Sequence, residues 1–266
     1  MSLGVACLTA KNEHDAYEHA KQLIEFNSQR KKTEANMQGD AQAIMREFDN
    51  SNKTICLFNE KWHQGVIGIL ASRLKENFYR PVIIFAQDES GYLKGSARSI
   101  EGFHVRDAID LVAKKNPEAI LTFGGHAMAA GLTIKKEYFD SFLKSFEEIA
   151  DSILKPEDLS EIVEVDVSIL EDNINVHIID EINQLEWGNG FQRPLFADTF
   201  DCVNQDVIKG LHTKLNLTKQ NQSFEGIFFN YKELIPDRVK CLYTVETNKF
   251  NNTNKLILNI KKIIHE

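Results

Sequence analysis

The chain has 266 residues, 42% of them hydrophobic and 26% charged, with a net charge of −8, a size that suits two domains of roughly 100 to 150 residues each. No stretch reaches the roughly 20 apolar residues of a membrane span, and the N-terminus lacks the basic-then-apolar pattern of a signal peptide, so a cytoplasmic globular protein is expected. Cys7, Cys56, Cys202 and Cys241 lie far apart and form no C-x-x-C pair, which speaks against a zinc ribbon or redox motif and predicts free thiols.

The acid excess is local. Residues 156–200 carry one basic and eleven acidic side chains, while the flanking regions are nearly balanced or slightly basic. A polyanionic partner is therefore allowed away from that block. Within it, residues 157–186 read as a solvated face, with a docking surface for a basic partner as the competing reading.

Met1-Ser2-Leu3 reads as an expression-vector remnant, with the natural chain beginning upstream. From Glu13 to Phe48 there is no proline, and Ala16, Ala20, Leu23, Ile24, Ala41, Ile44 and Met45 recur at helical spacing. That predicts one long amphipathic helix, or two, better suited to connecting domains than to a core. Apolar strands are predicted over 53–59 and 81–86, an alternating strand over 91–99, and another over 119–124. Helices are predicted over 64–78, 105–113 and 138–153. Strand and helix alternate, so residues 51–155 form an α/β domain after a connector at 1–50.

Residues 156–266 change character. EIVEVDVSI (161–169) reads as a strand, a short helix follows near Ile174 to Leu185, and five strands then recur from Leu195 to Ile263 with polar turns between them. Short, regularly spaced strands with one interposed helix predict a small barrel of the OB type.

Three constellations could carry chemistry. In GSARS (95–99), residues two apart on a strand share a face, so Ser96 and Arg98 project together beside a glycine that lets a ligand near the main chain. A guanidinium fork matches phosphate oxygens; a surface salt bridge is the competing reading for Arg98. In TFGGHAMAAGL (122–132), Gly124 and Gly125 end a strand, and His126 is expected to open a helix whose N–H groups favour an anion. A structural histidine in a tight turn is the plainer reading there. In KWHQGVIGILASRL (61–74), Trp62 and His63 lie between a strand end and a helix start, where Trp62 stacks on a base or caps the core. No metal-ligand motif, P-loop or nucleophile elbow is present, so no metal or catalytic residue is assigned to this chain.

Taken together and in this order, W-H-x-G-V-I-G-I-x-A-S-R-L, G-S-A-R-S and G-G-H-x-x-A-A-G resemble the C-terminal half of RecJ-type exonucleases of the DHH phosphoesterase superfamily. The resemblance covers the whole chain and implies a connector helix, an α/β DHHA1 domain and a mainly β OB barrel. It also implies a bacterial 5′-to-3′ exonuclease specific for single-stranded DNA, working in recombination and repair. Manganese or magnesium would sit in an N-terminal DHH domain joined in cis, and this chain has no D-H-H motif. Single-stranded DNA is the implied partner, with a single-strand-binding protein or a repair helicase as protein partners. By match to the family, Ser96 and Arg98 hold the DNA backbone or 5′ end, Gly124, Gly125 and His126 contact substrate phosphate, and Trp62 and His63 lie near the same cleft. In the barrel, His212, Lys214 and Lys240 are the expected DNA contacts, since such grooves combine cations with aromatics. EWGNGFQRPLF (186–196) departs from the family's pattern in its middle, which leaves Gln192 and Arg193 without a carried-over role. A stand-alone DHHA1 module preferring RNA or short nucleotides is the alternative, because such domains also occur in alanyl-tRNA synthetases and small-molecule phosphodiesterases.

Overall fold

A computed structural model describes residues 2–48, 51–166, 168–169, 175–188, 191–248 and 255–264. The chain divides into two compact units, Met1–Glu161 and Ile162–Glu266. Among the described residues no helix is long and apolar enough to cross a membrane.

In the first unit, α1 (Ser2–Leu8) precedes α2 (Glu13–Met45), a single helix of 33 residues. Asn12 caps α2 by accepting from the Asp15 N–H at 2.9 Å, and Glu13 and Asp15 lie in the first turn, where carboxylates favour the helix dipole. Part of α2 belongs to a core and does not merely connect. Met37, Ala41 and Met45 are buried in a core cluster, so the last third of the helix is a structural wall of the α/β unit.

That unit is built on a five-stranded sheet ordered β1-β2-β3-β5-β4. Its strands are β1 (Ile55–Phe58), β2 (Val82–Gln87), β3 (Leu93–Arg98), β4 (Ile120–Gly125) and β5 (Ala129–Ile134). Only the β1–β2 pair is parallel. Alternation sends Val82, Ile84 and Ala86 to one face, where α3 (Ile67–Phe78) and α2 cover them. Ile83, Phe85, Leu93 and Ala97 face the other way, under α4 (Val105–Lys115) and α5 (Phe139–Ile153). Each fully buried Ile, Leu or Phe contributes about 1.5 to 3 kcal/mol, so both faces resist separation from their helices. Arg73 ties α3 to α2 through Glu34 and, at 3.2 Å, Gln38. Arg80 donates to the carbonyls of Asn52 and Phe78, both at 2.9 Å.

The second unit holds α6 (Val176–Gln184) and a closed barrel of β6 (Phe196–Ile208), β7 (His212–Lys219), β8 (Gln222–Phe228), β9 (Arg238–Asn248) and β10 (Lys255–Ile264). β10 closes the barrel by running parallel to β8 and antiparallel to β9. Thr213, Leu215 and Leu217 point inward on β7, leaving His212 and Lys214 together on the outer face.

The strand expected over 161–169 is absent among the described residues there, and Val167 and Ile174 lie outside the description. Isolated bonds to Leu195 and to the Asp198 carboxylate take the place of sheet pairing. The Asp166 N–H donates to the Leu195 carbonyl at 2.9 Å and the Asp166 carboxylate accepts from the Leu195 N–H at 2.9 Å. Asp198, 3% exposed, accepts from the Ile169 N–H at 3.1 Å and the Ser168 hydroxyl at 2.5 Å, and also from Lys219 and the Tyr243 hydroxyl. The cysteines are free; burial pushes the Cys241 thiol up to about 12, leaving it unreactive.

Burial works to raise the Asp198 carboxyl, but the bonds from Lys219, Ser168, Tyr243 and the Ile169 N–H outweigh it and hold the group below the usual carboxylate range. A depressed native pKa stabilises the fold above the unfolded value of about 3.9, and that contribution is lost as pH falls through the native value. Asp198→Ala should therefore destabilise the barrel by about 3 to 5 kcal/mol at neutral pH, because Lys219 is left unpaired. Urea titration monitored by Tyr243 and its neighbours should show this gap narrowing below about pH 4; a gap independent of pH would contradict the assignment.

Candidate nucleic-acid interface

On β3, Lys94, Ser96 and Arg98 share the face toward α3, as their cross-strand partners Ala86, Ile84 and Val82 require. The Arg98 guanidinium is fixed from three sides. Its Nε donates to the Ser72 hydroxyl of α3 at 3.1 Å, and its Nη1 donates to the Ser96 hydroxyl at 3.1 Å and the Ala97 carbonyl at 2.8 Å. All three acceptors are neutral, and among the described residues no carboxylate lies within ion-pair distance of Arg98. The salt-bridge reading is thereby set aside: the cation is oriented without being neutralised, as an anion site needs.

Gly68 of α3 makes room for this arrangement, because a Cβ there would meet the Ser96 hydroxyl at 3.1 Å and Arg98 Nη2 at 3.2 Å. Sequence reading missed Gly68 and Ser72 as parts of the site. Their signal was a glycine inside an otherwise regular helix, four residues before a serine on the same face.

TFGGHAMAAGL does not open a helix at His126. Gly125 ends β4, residues 126–128 turn, and β5 returns from Ala129, with the His126 N–H donating to the Ala129 carbonyl at 2.8 Å. The helix-terminus argument for an anion therefore fails, and tertiary pairing explains why. Ala129, Ala130 and Gly131 sit opposite Arg98, Ala97 and Ser96 of β3, and pairing with β3 and β4 overrides the helical preference of the alanines. The exposed His126 is at the hairpin end nearest Arg98, since Arg98 pairs with Ala129 and the Ser99 N–H donates to the Met128 carbonyl at 3.0 Å.

The glycines of this region divide by cause. Gly125 has φ +145, and a Cβ on it would lie 2.4 Å from the Ala129 carbonyl, so the hairpin requires it. Gly95 serves packing and not ligand approach, because its Cβ would strike Leu132 at 2.5 Å and Phe85 at 2.7 Å on the core side. Gly124 and Gly131 face each other across β4 and β5, and a Cβ on either would meet nothing closer than 3.9 Å. Packing does not demand these two. With Lys94, Thr122 and Thr133 they line an open depression of 430 Å³ on the face that carries Ser96 and Arg98.

Trp62 is 3% exposed in the core, and its Nε1 donates to the Asp40 carboxylate at 3.3 Å; its ring is not available for base stacking. His63 is exposed beside α2, and its Nδ1 accepts from the Gly65 N–H at 3.0 Å, which leaves Nε2 as the outward nitrogen. With Phe26, Arg30 and Thr33 it lines a depression separate from the one between β3 and β4. In the barrel, Lys214 pairs with Glu225 at 3.0 Å and His212 Nδ1 accepts from the Asn230 N–H at 3.0 Å, so both are partly engaged. Lys240 lies with Arg238 and Thr199 on another part of the barrel. Tyr243 is wholly buried, while Phe228 and Tyr231 stack on each other at 4.2 Å. Arg193 donates to the Val245 carbonyl at 2.9 Å, a structural tie to β9. Among the described residues no group of three or more His, Cys, Asp or Glu could hold a metal, and these residues do not fit one.

The DHHA1 domain family matches residues 50–152 and the RecJ OB domain family matches residues 165–262. The chain is thus a DHHA1 domain followed by an OB barrel. The single-stranded-DNA-specific exonuclease RecJ of Haemophilus influenzae is 37% identical over 272 residues, covering 97% of this chain and 47% of that protein. Its namesake in Escherichia coli is 35% identical over 275 residues, covering 99% and 48%. The crystal structure of RecJ from Thermus thermophilus in complex with Mg2+ superposes with a TM-score of 0.78 at 22% identity, over all of this chain and 40% of that one. The chain belongs to the RecJ family and corresponds to the C-terminal part of those proteins. It spans about half the length of these two curated relatives.

Gly125→Ala should destabilise the α/β unit by about 1 to 3 kcal/mol through backbone strain, whereas Gly124→Ala and Gly131→Ala should stay within about 0.5 kcal/mol of the parent. Thermal unfolding of the three variants separates the two kinds of glycine; equal losses would show that Gly124 and Gly131 are structural as well.

Proposed function

We propose that this chain is the strand-gripping part of a 5′-to-3′ exonuclease that degrades single-stranded DNA in recombination and repair in the cytoplasm. The observation that carries the proposal is Arg98, held by Ser72, Ser96 and the Ala97 carbonyl without a carboxylate, beside the open Gly124–Gly131 surface. A phosphodiester lying there gains a charge-assisted, geometrically fixed contact, and the missing Cβ atoms let it reach the main chain. His126 at the hairpin end donates to a phosphate or a base edge. The relatives' designation as single-stranded-DNA-specific exonucleases supports DNA as the polyanion.

Hydrolysis belongs, in this proposal, to a DHH domain outside this chain. The Thermus thermophilus structures in complex with Mg2+ and Mn2+ support a divalent ion as the metal of that domain. The residues of this chain bind and orient the strand, and no bond-breaking step is assigned to them. In the barrel His212, Lys214 and Lys240 are the proposed DNA contacts, and in the α/β unit His63, between β1 and α3, is a further one. A single-strand-binding protein or a repair helicase is the proposed protein partner.

Fluorescence anisotropy of a labelled single strand should show salt-sensitive binding, with a log–log slope of about −0.7 per phosphate contact. Arg98→Ala should weaken it by about ten- to a hundredfold, in keeping with a charge-assisted hydrogen bond of about 1.5 to 3 kcal/mol. Purified chain should release no nucleotides with manganese or magnesium. Binding unchanged in Arg98→Ala contradicts the site, stronger binding of an RNA strand favours the RNA-binding alternative, and metal-dependent digestion contradicts the division of labour.

A further inference from the structure

Gly124 and Gly131 are residues that the fold does not explain. They stand opposite each other within paired strands, where glycine weakens the sheet for want of a side chain to pack. Neither has the positive φ that would require glycine, and a Cβ on either would meet nothing closer than 3.9 Å. Both are exposed, although β5 is a central strand of its sheet. Glycine in such a place leaves the main chain open to close approach by a ligand.

Cross-strand register turns the pair into the floor of a trough. Three rows share one face of the sheet: Lys94, Thr133 and Thr122; then Ser96, Gly131 and Gly124; then Arg98 and Ala129. Successive rows lie about 6.7 Å apart, so the bare middle row runs between two rows that carry side chains. It begins at Ser96, whose hydroxyl accepts from Arg98 Nη1 at 3.1 Å. Ser96 and Arg98 therefore make one anion locus at the head of the trough. From there the floor extends two strand spacings, about 10 Å, to Gly124. One wall can hydrogen-bond. Thr122 is exposed, and Lys94 Nζ is held by the Thr133 hydroxyl at 3.2 Å and only loosely neutralised by Asp88 at 3.7 Å.

We infer that the trough is a nucleoside seat: when a phosphate occupies Arg98 and Ser96, the sugar and base attached to it lie on the Gly131–Gly124 floor, with the base edge toward Thr122 and Lys94. A flat ring rests on exposed peptide groups only where no Cβ intervenes, and the floor is as long as one nucleotide from its phosphate to the far edge of its base. Every base carries ring-nitrogen or carbonyl acceptors, so the seat favours a base over its absence without selecting a sequence. The inference rests on the proposed binding at Arg98 and adds a base contact to it, whichever phosphate of the nucleotide is bound.

The test titrates the full chain with thymidine 3′,5′-bisphosphate and with the same bisphosphate of 1,2-dideoxyribose, which lacks the base. NMR follows the Arg98 Nε–H and the amides around Gly124 and Gly131. The parent should bind the thymidine compound about two- to tenfold more tightly, the range of one net hydrogen bond. Gly124→Ala and Gly131→Ala, for which packing leaves room, should bind both compounds with the parent's affinity for the abasic one. Thr122→Val, which keeps the side-chain shape and removes the hydroxyl, should narrow the preference. Thermal unfolding checks that each variant is folded. Equal parent affinities, a preference kept by all three variants, or a loss that falls equally on both compounds in the glycine variants contradicts the seat and leaves the anion site standing. If neither compound shifts the Arg98 Nε–H at any concentration, the anion site fails and the seat with it.

Discussion

The guanidinium of Arg98 is the group on which the site depends. Within the α/β unit it joins two layers, because Ser72 of α3 and Ser96 of β3 hold it between helix and sheet. A guanidinium is always charged, so holding it beside a helix without a carboxylate leaves a standing demand for an anion. Gly68 serves the same end by leaving the guanidinium the space that a larger residue would take. A single side chain thus links helix composition, sheet register and ligand chemistry.

The sheet supplies the surface on which that charge acts. α3 and α2 cover the face over β1 and β2, and the same face remains open where Lys94, Gly131 and Gly124 lie. On the opposite face Phe85, Leu132 and Gly95 are tightly fitted beneath α4 and α5. One sheet is therefore rigid on its core side and bare on its ligand side, which favours a preorganised site. The barrel solves a different problem. Its interior holds Asp198 with Lys219 and Tyr243, fastening residues 168–169 to the strands that follow.

Much of this was legible in the sequence. Apolar runs and alternation located β1 to β4 of the sheet and all five strands of the barrel, because each half-buried strand displays its period. The pairing of Ser96 with Arg98 followed from the same alternation, which also places Gly95 on the core side, a consequence that sequence reading did not draw. The turn at His126 and the strand β5 after it were not legible, because AMAAG is locally a good helix and only its neighbours β3 and β4 make it a strand. EIVEVDVSI failed for the opposite reason: its alternation suits a strand, but Asp166 and Asp198 bind its main chain and that of Leu195 instead. The buried Trp62 shows that an aromatic at a strand end has two readings that composition cannot separate. The missing partner of Arg98 could be found only by seeing which carboxylates lie nearby.

The most direct measurement is a backbone and arginine side-chain NMR titration of the chain with a short single-stranded oligodeoxynucleotide. The amides of Ser96, Gly124 and Gly131 and the Arg98 Nε–H should shift together along one binding curve, with His126 following. Shifts confined to the barrel, with the Arg98 Nε–H unmoved at saturation, would contradict the anion site.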